Sequence, residues 1–175
     1  MKALNAKISL ICILLSPLLF FTNASAQAPA EAFLKRFEGT WQGDGRAFGM
    51  AARLHLKWEW VLGDKFLRLS LRNEMRTANG QTQVFEGHAY YRPVGPPNGF
   101  KYEARWFDSR GTWFPIQAHS EGESLIALWG APEQEQGKSL YRLVDPGKLE
   151  VIDAVLQKDG SWKEFGRFVV QRAQL

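Results

Sequence analysis

The side chains of this sequence best able to move protons or hold a metal are the histidines His55, His88 and His119 and the acids Asp108, Glu121 and Asp153. No two histidines stand at His-x-His or His-Glu-x-x-His spacing, which would bring two imidazoles onto one side of a zinc ion, so no metal site is expected. Asp108, Ser109, His119 and Glu121 are of the types used in hydrolysis. No nucleophile elbow presents a serine on a strained turn, however, and no fixed spacing ties the four together. No catalytic residue is assigned, and the chain reads as a binding protein rather than an enzyme. Cys12 is the only cysteine and lies in an N-terminal apolar run, so thiol chemistry has no place in the remainder.

Alternation along the chain orients these groups. His55 lies opposite Leu54, Leu56 and Trp58, and His119 opposite Phe114, Ile116 and Ala118, so both are expected to face outward. His88 sits in a stretch whose two faces are both mixed, which leaves its direction open and makes it a candidate ligand contact. Asp153 interrupts the apolar stripe of Leu149, Val151 and Val155. Facing inward, it would need polar partners or the polar end of a ligand; at an edge, it would face water. Trp58, Trp60, Tyr102, Trp106 and Tyr141 fall on faces read as inward. Such side chains can wall an apolar pocket, and they serve equally well as ordinary core.

These groups are carried on strands. Residues 53–60 place every apolar side chain at an even position, 67–71 put three leucines on one face, and 101–107 set Tyr102, Ala104 and Trp106 against Lys101, Glu103 and Arg105. Turn chemistry punctuates them at Leu62-Gly63-Asp64, Ala78-Asn79-Gly80, Pro93 to Gly99, Asp108 to Gly111, Asp145-Pro146-Gly147 and Lys158-Asp159-Gly160. The spacing predicts about eight to ten antiparallel strands in one all-β domain, after a short helix from about Ala30 to Phe37. The first strand favours a barrel over a sandwich. Trp41, Gly43 and Gly45 share one face, and glycines in a strand suit a sharp bend or a close approach.

The N-terminus reads as a secretory leader. Lys2 and Lys7 precede an apolar run of roughly 14 residues, short of the about 20 that span a bilayer, and Ala24-Ser25-Ala26 supplies a small-residue cleavage site. The expected mature domain, residues 27–175, is periplasmic or secreted, with no stable membrane insertion after cleavage. The formal charge of +4 includes both leader lysines, so the mature chain carries about +2. Its acids and bases are interspersed without a basic stripe, which argues against a nucleic-acid partner. The expected partner is a small apolar or amphipathic molecule in the barrel. The alternative is a filled barrel acting as an interaction module of the cell envelope, with the Pro93 to Gly99 loop as its contact.

Gly39-Thr40-Trp41 on the first strand resembles the Gly-x-Trp of the calycin group, which contains lipocalins, fatty-acid-binding proteins and nitrobindins. The resemblance implies a lipocalin-like barrel in which Trp41 pairs with an arginine near the C-terminus, here Arg172 or else Arg167, to close one end. The chain is similar, more closely, to a lipocalin-like bacterial domain-of-unknown-function family, number 1579. That similarity rests on Gly39 to Gly45, Glu59 to Leu67, Phe85 to Tyr91, Trp106 to Ser109 and Arg172. The family commonly has a second glycine after Leu62-Gly63, where this chain has Asp64. Nitrobindins hold haem through a histidine late in the chain. No histidine follows His119, so that residue has no counterpart and no cofactor is expected.

Overall fold

The computed structural model describes residues 24–94, 101–133 and 135–173, with side chains from Ala30 onward. Most of the leader and the tip of the Pro93 to Gly99 loop lie outside the described residues. A helix, α1 (Ala24–Lys35), precedes ten strands: β1 (Gly39–Ala47), β2 (Met50–Val61), β3 (Phe66–Arg76), β4 (Thr82–Pro93), β5 (Tyr102–Asp108), β6 (Trp113–Glu121), β7 (Ser124–Trp129), β8 (Gly137–Asp145), β9 (Lys148–Leu156) and β10 (Trp162–Arg172). The helix begins and ends earlier than the apolar spacing of Phe33, Leu34 and Phe37 predicts. Arg36 and Phe37 are already in a turn, donating to the carbonyls of Phe33 and Leu34 at 3.2 and 3.1 Å.

Each strand pairs antiparallel with its neighbour in sequence, and β1 pairs with β10, so the sheet closes into a barrel with no free edge. The seam runs from Trp41 opposite Arg172 to Ala47 opposite Gly166. β10 crowds β1 closely here: a Cβ at Gly43 would lie 2.2 Å from the carbonyl oxygen of Val169. Glycine on the inner face of β1 therefore reflects this approach, and a larger residue would force the seam apart. In the turn between β2 and β3, Asp64 adopts φ 59°, a left-handed conformation that glycine takes freely and aspartate tolerates.

The inner face is not packed evenly from end to end. At one end α1 plugs the barrel, and Leu34 and Phe37 join Trp41, Leu56, Leu67 and Val170 in a core from which solvent is excluded. Toward the other end several inward positions are small or polar, as at Gly45, Asn73, Ala127, Ser139 and Gly166, and the large aromatic residues lie against the wall. Side-chain volume thus fills one half of the barrel and leaves the other half hollow.

Candidate functional site

The plugged end is built around Trp41. Its Nε1 donates to the carbonyl of Phe37 at 2.8 Å, tying the end of the helical segment to β1. The Arg172 guanidinium lies over the indole, 4.1 Å from its centroid, the geometry of a cation–π contact. Arg172 also donates to the carbonyls of Glu38, Arg36 (3.1 Å) and Pro146 (3.2 Å), joining helix, seam and the β8–β9 turn. Gly39, at φ 121°, lets the chain turn beneath that guanidinium. Arg167 is directed elsewhere, paired with Glu150 at 2.8 Å and with Glu164 at 2.6 Å.

Three aromatic residues expected in ligand contact belong to this plug instead. Tyr102 is fully buried, stacks on Phe33 (6.3 Å, 26°) and donates its hydroxyl to the carbonyl of Ala30 at 3.2 Å. Trp60 is half-buried near the end of β2 and packs against the same core. Trp58 lies between Phe37 (5.5 Å) on one side and Tyr91 (5.5 Å) and Tyr141 (5.2 Å, edge-on) on the other. Alternation correctly places all three inward, but their level along the barrel axis puts them in packed core. An aromatic column thus runs from the helix to the two tyrosines, and above those the packing stops.

There the barrel opens into a cavity of about 1300 Å³. Tyr91, Tyr141 and Asp153 form its floor with Leu54, Leu71 and Ile116, and Trp106 and Trp129 stand in the walls. Both indoles lie flat against the sheet because a glycine sits under each. A Cβ at Gly87 would meet the Trp106 ring at 2.1 Å, and one at Gly137 the Trp129 ring at 1.8 Å. Phe85 stacks on Trp106 (6.2 Å, 29°) and Phe114 tilts onto Trp129 (5.5 Å, 40°), which extends both apolar walls toward the mouth. At the rim Phe48 and Phe165 stack at 4.8 Å.

The polar part of the floor is compact. Ser139 lies directly opposite Asp153 across the β8–β9 ladder and donates its hydroxyl to Oδ1 at 2.6 Å. Gly166 faces Asp153 from β10, and a Cβ there would come within 3.2 Å of Oδ2. Burial pushes the Asp153 carboxyl up from 3.8 to about 6, with the Ser139 bond pulling weakly the other way. Burial likewise raises both tyrosine hydroxyls, so both stay protonated as hydrogen-bond donors and acceptors at neutral pH. The surface that Asp153 retains faces the cavity. Asn73 lines the same space, with its Oδ1 buried and unpartnered among the described residues.

Tyr91, Ser139 and Asn73 go unnoticed in the sequence, although each has an inward parity with apolar neighbours two residues away. Trp106, Tyr141 and Asp153 are the expected contacts that do line the cavity. His88 does not. Gly87, Ala89 and Tyr91 take the inner face of β4, and His88 is exposed on the outer one, with Nδ1 3.1 Å from the Ser70 hydroxyl. Gly87 and Ala89 carry little apolar signal, which is why this strand looks mixed. The hydrolase-type residues do not converge. Asp108 organises the β5–β6 turn at the open end, receiving bonds from Trp106 Nε1 (3.2 Å) and from Arg110. Burial works to raise its carboxyl, and the Arg110 and Trp106 bonds outweigh that and hold it low. His119 and Glu121 lie near the other end of β6, next to the position that pairs with Tyr102.

Among the solved structures that share this architecture are two from unrelated sources. Rv2717c from M. tuberculosis matches with a TM-score of 0.57 at 17% identity, over 83% of this chain and 98% of that one. The S-type phycobiliprotein lyase CPES from Guillardia theta matches with a TM-score of 0.53 at 7% identity, over 85% of this chain and 97% of that one. At such identities the likeness establishes the fold, a calycin-like barrel. No protein-family model and no curated protein matches the sequence.

Proposed function

We propose that this chain is an exported carrier that holds one small apolar or amphipathic molecule in the open half of its barrel. The observation that carries this reading is the 1300 Å³ cavity, with indole walls, a rim of phenylalanines and a single compact polar floor. Such sites are concave and mostly apolar, with a few placed polar groups fixing orientation. A filled barrel working only through its surface would have no use for glycines that press two tryptophans flat against the wall. One structural neighbour is a phycobiliprotein lyase, which is compatible with a barrel of this shape holding a small molecule. Membership of family 1579 and export to the periplasm or medium are part of the proposal. They rest on the Gly39 to Gly45, Glu59 to Leu67 and Phe85 to Tyr91 segments and on the leader.

Native mass spectrometry of the protein recovered from its own cells tests both halves. The expected result is a chain starting at Gln27 that carries a small molecule in one-to-one ratio, released on denaturation. A chain that retains its leader would overturn export. A bare protein that also takes up no apolar probe would overturn the carrier.

A further inference from the structure

An apolar ligand alone leaves Asp153 unexplained. The groups facing it are Ser139 and Tyr141 on the neighbouring β8, Gly166 on the neighbouring β10, and Tyr91 on β4 across the barrel. None of them is basic. None of the ion pairs among the described residues engages Asp153. The charged groups that line the cavity lie at its mouth: Arg46, Arg110, Arg167, Lys163, Glu135 and Glu164. Four of these are already held: Arg167 and Glu164 by each other, with Arg167 also on Glu150, Arg110 by Asp108, and Arg46 by the Gly49 carbonyl at 2.5 Å. Among the described residues the floor therefore contains one acid and no cation. Asn73, on β3, lines the same cavity with a buried oxygen that has no donor among the described residues. Oδ1 of Asp153 takes the Ser139 hydroxyl, while Oδ2 sits beside a glycine, where the missing side chain leaves room.

We propose that the ligand is an amphipathic amine or amidine whose protonated nitrogen pairs with Asp153 while its apolar body lies along the indoles of Trp106 and Trp129. The inference deepens the carrier reading and rests on it. A carboxylate only partly reached by solvent and with no counter-charge is unfavourable, and a cation with N–H donors offsets that by charge-assisted hydrogen bonding. The same cation is favoured by the tyrosine and tryptophan faces around it. A carboxylate headgroup would place like charges in contact in a poorly solvated site, and a neutral hydroxyl would give one hydrogen bond to the carboxylate without neutralising its charge.

Three ligands with one apolar body separate these cases: dodecylamine, dodecanol and dodecanoate, titrated calorimetrically against the purified protein near pH 8, below the solubility limit of the alcohol and the micelle concentrations of the other two. The amine is expected to bind about tenfold or more tightly than the alcohol, with the carboxylate weakest. In Asp153→Asn the amine should lose its advantage and fall to the level of the alcohol measured on the same variant. Near pH 5, where Asp153 takes up a proton, the amine should weaken and the alcohol should not. Equal binding of amine and alcohol, a preference for the carboxylate, or an amine preference that survives Asp153→Asn overturns the inference and leaves the carrier standing. Failure of all three ligands to bind overturns the carrier as well.

Discussion

Trp41→Ala is expected to lower the unfolding free energy by about 3–5 kcal/mol, the range for removing a fully enclosed large aromatic side chain. Trp41 is 0% exposed, and it joins three parts of the molecule. Its ring fills the core beneath the helix, its Nε1 satisfies the carbonyl of Phe37, and its face supports the Arg172 guanidinium. Alanine would leave a void that the closed sheet cannot collapse around, because Trp41 stands on the β1–β10 seam opposite Arg172. It would also orphan the Phe37 carbonyl and remove the surface that holds Arg172 over the end of the barrel. Urea denaturation followed by far-ultraviolet circular dichroism reads the loss as a lowered midpoint. A drop under about 1 kcal/mol would mean that the plug is held by the helix contacts alone.

The second large effect has the opposite sign. Asp153→Asn is expected to stabilise the empty protein near pH 8 by on the order of 3 kcal/mol, and to change it little near pH 4. The folded carboxyl titrates at about 6 against an ordinary 3.8, with burial as the main cause. A folded value above the unfolded one means that the native barrel holds the proton more tightly. The stability this group contributes is therefore complete below about pH 3.8 and is lost as the pH rises through about 6. Asparagine has nearly the same shape, can still accept the Ser139 hydrogen bond, and has no charge to bury. Thermal unfolding across this pH range measures the difference. A variant no more stable than the parent near pH 8 would show that Asp153 is solvated or paired in the folded state. A side chain that weakens the empty protein and sits on the floor of a cavity fits a group kept for a ligand rather than for the fold.

The barrel itself was legible in the sequence because alternation is a local property. Leu54, Leu56 and Trp58, or Leu67 and Leu69, declare their face without reference to any other strand. Gly39-Thr40-Trp41 marked the strand that starts the barrel, and its glycines marked the crowded seam. Depth along the axis was not legible. Trp58, Tyr102 and Trp106 have the same parity and similar chemistry, yet two lie in the packed half and one in the hollow half. The difference is fixed by where α1 docks and by the stagger of ten strands. The seating of Trp106 and Trp129 on Gly87 and Gly137 joins separate strands, and that register is invisible to a single-strand pattern. His88 misled for a related reason: small inward residues on its strand muted the periodicity that would have turned it outward.

A ligand site in the open half of the barrel would take up an apolar reporter, and fluorescence titration with N-phenyl-1-naphthylamine reads that uptake. The probe is compared on the parent protein and on Ala127→Phe, which places a ring in the hollow from a buried wall position on β7. Saturable binding at one site is expected in the parent, with binding abolished in the filled variant while its unfolding midpoint shows that it still folds. An absence of saturable binding in the parent, or equal binding by a folded Ala127→Phe variant, would contradict a ligand site in the open half.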